Sequence, residues 1–105
     1  MTGVLSPSGI AAALLLLLSA TLAQAADIQI YTTTFCTECL KAKAYMRQKG
    51  IAFEERDVEN NLDYRREFYA RGGKGVPYLF VNGQAMHGFN PERLEALRRA
   101  GNEGR

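Results

Sequence analysis

The chain has 105 residues and a formal net charge of +2, from 13 Lys and Arg against 11 Asp and Glu. That length allows one small domain. Arg65-Arg66 and Arg98-Arg99 stand among acids, so the mild charge describes a solvated mixed surface and excludes a nucleic-acid-binding patch.

The N-terminal stretch carries its own pattern. Ile10 to Leu18 are all aliphatic or alanine, Ser19-Ala20-Thr21-Leu22 follow, and Ala23-Gln24-Ala25 closes the run. An apolar core before a small-x-small site reads as a secretory signal peptide over residues 1–25, with cleavage after Ala25. The usual basic start is missing, because neither Lys nor Arg precedes the apolar core. The competing reading is an uncleaved membrane anchor. Gly9 to Ala26 falls just short of the roughly 20 apolar residues of a span and contains Ser, Thr and Gln. The expectation is therefore a periplasmic or secreted domain over residues 26–105, without a stable membrane span once the signal is removed.

In the remaining chain, Ile28-Gln29-Ile30-Tyr31 alternates as a strand. Thr32 to Phe35 reads as a loop. From Thr37 the pattern is helical, with Leu40, Ala44 and Met46 expected inward and Lys41, Lys43, Arg47 and Lys49 outward, up to a stop at Gly50. Ile51 to Val58 supplies a second strand with a polar later half. Asn60 or Asn61 caps a second helix reaching Arg71, with Leu62, Phe68 and Tyr69 as its packing residues. Gly72 to Gly75 is a turn, and Val76 to Val81 is a strand entered through Pro77. Asn82-Gly83 is a type I′ hairpin signal, and Gln84 to His87 is the return strand. Asn90-Pro91 opens a final helix as N-cap and first helical position. Leu94 and Leu97 face its core, it ends near Ala100, and Gly101 to Arg105 form a frayed tail. The order is β-α-β-α-β-β-α, a small mixed sheet covered by helices.

The only two cysteines form Cys36-Thr37-Glu38-Cys39, between the first strand and the first helix. Two thiols at this spacing can exchange a disulfide with another protein and resolve the mixed intermediate within the same turn. Two alternatives stay open. A structural disulfide over so short a loop is worth only about 2 kcal/mol by the chain-entropy relation. A metal pair lacks nearby partners, since two thiolates do not complete a tetrahedral zinc site and His87 is remote in sequence. Held in an oxidising compartment, the thiolates could instead handle Cu(I), with Met46 or Met86 as soft neighbours.

From Ile28 to Leu97 the sequence resembles the glutaredoxin group of the thioredoxin fold. The segments that carry the resemblance are Ile30-Tyr31-Thr32, the Cys-x-x-Cys, Ala42-Lys43, Lys49-Gly50-Ile51, Val76-Pro77, Asn82-Gly83 and the glycine before the last helix. The resemblance implies a four-stranded mixed sheet with three helices and a thiol–disulfide oxidoreductase. It makes Cys36 the attacking and Cys39 the resolving residue, and Pro77 the cis-proline facing them. Val76 would then pair in β-fashion with an incoming peptide. Phe35 and Phe89 are expected as an apolar rim for a partner, against the plainer reading of packed aromatics.

The departures matter too. Glutaredoxins usually carry a lysine where Thr33 stands, Pro-Tyr where Thr37-Glu38 stands, and aspartates where Phe89-Asn90-Pro91 stand. Gly88-Phe89-Asn90-Pro91 looks more like the glutaredoxin-like hydrogen donors of ribonucleotide reductase. The expectation is a monomer without a tightly bound cofactor, acting on a protein disulfide with an unknown redox partner, and with weakened glutathione recognition; the alternative is a glutathione-dependent glutaredoxin that binds glutathione through backbone beside Pro77. Moving a thiol pKa from ~8.5 to ~7 takes about 2 kcal/mol. An exposed helix end supplies only ~0.3–1 kcal/mol of that. With Glu38 opposing it, Cys36 is expected to be less acidic than the nucleophile of a strong disulfide donor.

Overall fold

A computed structural model describes residues 27–103. The expected signal segment, residues 1–25, lies outside the described residues. The elements are β1 (Ile28–Thr32), α1 (Thr37–Gln48), β2 (Glu54–Asp57), α2 (Leu62–Ala70), β3 (Tyr78–Val81), β4 (Gln84–His87) and α3 (Pro91–Glu103). The strands form one sheet in the order β2-β1-β3-β4. β1 runs parallel to β2, with Thr32 opposite Asp57. It runs antiparallel to β3, with Tyr31 opposite Tyr78, and β3 pairs antiparallel with β4, Tyr78 opposite His87. This is the α/β thioredoxin-like arrangement expected from the sequence.

The registers decide where chemistry can occur. The end of β1, the end of β2, the start of β3 and the end of β4 all meet at one edge of the sheet. The segments around Cys36, Glu59, Pro77 and Gly88 are therefore gathered there by strand pairing alone.

Alternation along the strands splits the apolar side chains into two cores. Ile28, Ile30, Leu79, Val81 and Met86 meet Ala42 and Met46 of α1 and Leu94 of α3. Tyr31, Tyr78 and Phe80 meet Phe68 of α2 and Val58. Helices thus cover both faces of the sheet.

Several local expectations shift. The buried face of α1 is Cys39, Ala42 and Met46, while Leu40 is 59% exposed and Ala44 is exposed. The cysteine itself supplies the first packing position, which sets the helix phase away from Leu40. β2 is shorter than Ile51–Val58. It is the charged run Glu54–Asp57, flanked by buried Ile51 and Val58. An edge strand can be this polar because its backbone pairs on one side and its charges find partners. Lys43 reaches Glu55 at 2.8 Å, and Arg56 pairs with Glu54 at 3.1 Å and with Glu67. In α2, Asn61 is the cap, accepting from the Tyr64 N–H at 3.0 Å. Phe68 is buried there, but Leu62 and Tyr69 are 54% and 65% exposed.

The hairpin turns through Asn82 and Gly83 at φ +51° and +82°, the left-handed pair that a type I′ turn requires. α3 continues beyond Ala100 to Glu103. Gly101 lies against the Asn82 side chain, where a Cβ would collide, so the hairpin docks on the segment expected to fray.

Candidate active site at the sheet edge

Cys36 is the N-cap of α1. Its backbone is extended (φ −141°, ψ 100°), and its Sγ accepts the Cys39 N–H at 3.1 Å. The Leu40 N–H bonds the Cys36 carbonyl at 3.1 Å. A cysteine therefore occupies the position where a Ser or Asp side chain usually takes the free amide of a helix's third residue. The same amide, with the positive end of the helix, favours a thiolate there. The two sulfurs are joined as a disulfide, with Cα atoms 5.2 Å apart. Their exposures differ: Cys39 is 1% exposed, whereas Cys36 is half-buried.

Glu38 and Lys41, one turn into α1, pair at 3.1 Å. The lysine offsets the carboxylate expected to oppose a thiolate.

Between Thr32 and Cys36, the hydrogen bonds of the loop run through Thr34 among the described residues. Its N–H donates to Glu59 Oε1 at 2.8 Å, and its Oγ1 accepts from Asn60 Nδ2 at 3.3 Å. Asn60 Nδ2 also reaches Asp57 Oδ2 at 2.7 Å. Asp57 Oδ1 accepts the N–H groups of Glu59 and Asn60 at 2.8 and 3.0 Å. The bonds from Thr34 hold the Glu59 carboxyl below its ordinary pKa, and those from Asn60 do the same for Asp57. Both acids are ionised at neutral pH. Nothing in the sequence singled out Glu59. The available signal was a cluster of Asp57, Glu59 and Asn60 directly after a strand, the composition of a side-chain-bonded turn.

On the other side of the edge, the Val76–Pro77 peptide is cis, as the resemblance implied. The Pro77 carbonyl accepts the Gly88 N–H at 2.9 Å. Val76 packs against the second core, and its backbone makes no hydrogen bond within the described residues.

The two candidate rim aromatics part company. Phe35 is 95% exposed. Phe89 is half-buried against the first core, its ring 5.6 Å from Tyr45. Leu40 and Leu62, both exposed, sit in the first turns of α1 and α2 and are apolar surface that the sequence assigned to the interior.

Met46 and Met86, the soft neighbours considered for Cu(I), are buried in the first core. His87 ends β4 with its ring 4.6 Å from Tyr78. Among the described residues no group of three or more His, Cys, Asp or Glu side chains could hold a metal ion. No helix among them is long and apolar enough to cross a membrane.

With this geometry in place, the chain can be compared with known proteins. The glutaredoxin family model matches residues 28–86. The chain belongs to the glutaredoxin family. It is 36% identical over 64 residues to glutaredoxin 3 of Escherichia coli strain K12, covering 60% of this chain and 77% of that protein. It is 32% identical over 71 residues to a glutaredoxin-like protein of the rubredoxin operon in Clostridium pasteurianum, covering 67% and 95%. The structure of the glutaredoxin-like protein NrdH-redoxin from Escherichia coli superimposes with a TM-score of 0.60 at 27% identity, covering 67% of this chain and 92% of that one. This glutaredoxin is accordingly a thiol–disulfide oxidoreductase whose Cys-x-x-Cys is Cys36 to Cys39. Within the family frame, Asn90 stands where acids are usual, and its Oδ1 accepts the Arg93 N–H at 3.0 Å as a helix cap.

Proposed function

We propose that this glutaredoxin is an exported dithiol oxidoreductase of protein disulfides, with Cys36 attacking and Cys39 resolving. The difference in burial between the two cysteines carries the order of attack. Cys36 is the more exposed residue of the two, half-buried where Cys39 is 1% exposed, and its thiolate would accept the Cys39 amide.

In the first step the Cys36 thiolate attacks one sulfur of a substrate disulfide. A mixed disulfide forms and the other substrate sulfur leaves as a thiolate. Cys39, deprotonated, then attacks Cys36 Sγ, which releases the second substrate thiol and leaves Cys36–Cys39 oxidised. The substrate gains two electrons and the dithiol loses them. A redox partner restores the dithiol, or the cycle runs in reverse when the substrate arrives reduced.

The unpaired backbone of Val76 suits a peptide entering in extended form, with Pro77 beside it, and Phe35 offers an apolar contact next to the sulfur. Neither Thr33 nor Asn90 is charged, and Glu59 and Asp57 are anionic, which disfavours the two carboxylates of glutathione. The thioredoxin-like activity profile named for NrdH-redoxin agrees with a protein substrate. Export rests on the signal-like pattern of residues 1–25, and outside the cytoplasm the electron source would be a membrane partner.

Two assays test the substrate. The reduced protein, recycled by dithiothreitol, should reduce insulin disulfides. It should turn over a glutathionylated peptide in a glutathione-coupled assay far more slowly. The reverse preference would contradict the reading. N-terminal sequencing of the protein from an extracytoplasmic fraction tests export; the expected start is Ala26, and recovery of the intact chain in the cytoplasm would oppose it.

A further inference from the structure

The segment from Thr33 to Phe35 joins β1 to the capping cysteine, and little holds it. Thr33 makes no hydrogen bond among the described residues, and Phe35 is 95% exposed. The loop is fastened at Thr34, to Glu59 and Asn60. That fastening is itself braced. Asp57 takes the amides of Glu59 and Asn60 and the Asn60 side chain. Arg65 donates to the carbonyls of Val58 at 2.8 Å and Glu59 at 2.5 Å. The Glu59 carboxylate is therefore aimed at the cysteine loop from a rigid support.

We propose that Glu59 is a positioning residue for Cys36: its carboxylate pins the loop through the Thr34 amide, and its charge restrains Cys36 from ionising. This rests on Cys36 being the attacking thiol.

Thr34 lies two residues from Cys36, so their Cα atoms are at most ~7 Å apart. A unit negative charge bonded to the Thr34 amide then lies within ~14 Å of the sulfur, inside the Debye length of ~30 Å at ~10 mM ionic strength. Other charges reach this edge from every element around it. On α1, Glu38 and Lys41 neutralise each other. Asp57 spends its oxygens on the Glu59 and Asn60 N–H groups and the Asn60 amide. Arg65 turns its guanidinium to backbone carbonyls. Asp63 is exposed in the first turn of α2, and Lys74 and His87 are exposed on the Pro77 side. Glu59 is the carboxylate bonded directly to the cysteine loop. Its loss should make Cys36 more acidic and the disulfide more oxidising, since a stabilised thiolate favours the reduced pair.

Glu59→Gln separates charge from geometry, because the amide oxygen can still accept the Thr34 N–H. The pH dependence of iodoacetamide labelling of the reduced protein, mapped to each cysteine by mass spectrometry, reads the thiol. The Cys36 midpoint is expected about half a pH unit lower in the variant. Below the midpoint this is a roughly threefold larger thiolate fraction. Thermal stability at neutral pH should fall only slightly, because the charge-assisted bond becomes a neutral one, and the reduction potential should move in the oxidising direction. Glu59→Ala should lower the midpoint similarly and also slow disulfide reduction at matched thiolate fraction, because the loop is no longer pinned. An unchanged midpoint and potential in Glu59→Gln would overturn the proposal. Fast labelling of Cys39 instead of Cys36 in the parent protein would overturn the order of attack beneath it.

Discussion

At the residue scale, the two cysteines do different jobs with the same side chain. Cys36 ends a loop and caps a helix, while Cys39 is a core residue. Their spacing was legible in the sequence, and so was Pro77. Burial was not, because it depends on which helix face meets the sheet. Phe35 and Phe89 look equivalent in sequence, yet one is exposed and the other rests on Tyr45. Phe35→Ala should therefore leave stability within about 0.5 kcal/mol of the parent, as for other exposed positions. It should also lower the rate of protein-disulfide reduction several-fold. Urea unfolding and an insulin assay check the two halves. A large loss of stability would mean that Phe35 packs.

At the element scale, the phase of α1 is the main correction. Leu40 and Ala44 follow helical spacing, but so do Cys39, Ala42 and Met46, and Cys39 turns that second face to the sheet. Met46→Ala should cost ~2–5 kcal/mol, the range for truncating a buried Met, and Leu40→Ala should stay within about 0.5 kcal/mol. Equal costs in denaturant unfolding would contradict this phase.

The charged strand β2 is shorter than the apolar residues around it suggest, because its support lies in other elements. Glu67 of α2 receives the Tyr31 hydroxyl and the Arg56 guanidinium, and Arg71 donates to the same hydroxyl at 2.7 Å. The Tyr31 bond, followed by Arg56, keeps the Glu67 carboxyl below its ordinary pKa despite some burial. A carboxyl depressed in the folded state stabilises the fold above its unfolded pKa of ~4.3. That contribution is lost as pH falls through the folded value. Thermal midpoints of the parent should drop on acidification below about pH 4.3 more steeply than those of Glu67→Gln. Parallel curves would show that this carboxylate does not contribute.

At the scale of the whole molecule, the order of elements was readable because each boundary has local chemistry. Gly50 at φ +69°, the Asn82-Gly83 turn and the Asn90-Pro91 start are short-range signals. The composition of the active edge was less readable. Thr34 meets Glu59 across 25 positions, a contact created by the parallel pairing of β1 with β2 and not by anything near either residue. The extension of α3 through Gly101 likewise needs the hairpin against which it packs. One edge of the sheet thus receives a capped cysteine, a braced acid and an unpaired strand-like backbone from distant parts of the chain.

The most direct test is to trap the exchange. Cys39→Ser and Cys36→Ser variants, each incubated with a disulfide-bonded protein, should behave differently. The Cys39→Ser variant should accumulate a mixed disulfide mapped to Cys36, and Cys36→Ser should accumulate none. Accumulation through Cys39 in the Cys36→Ser variant alone would contradict the assigned order, and no adduct in either would contradict dithiol exchange at this pair.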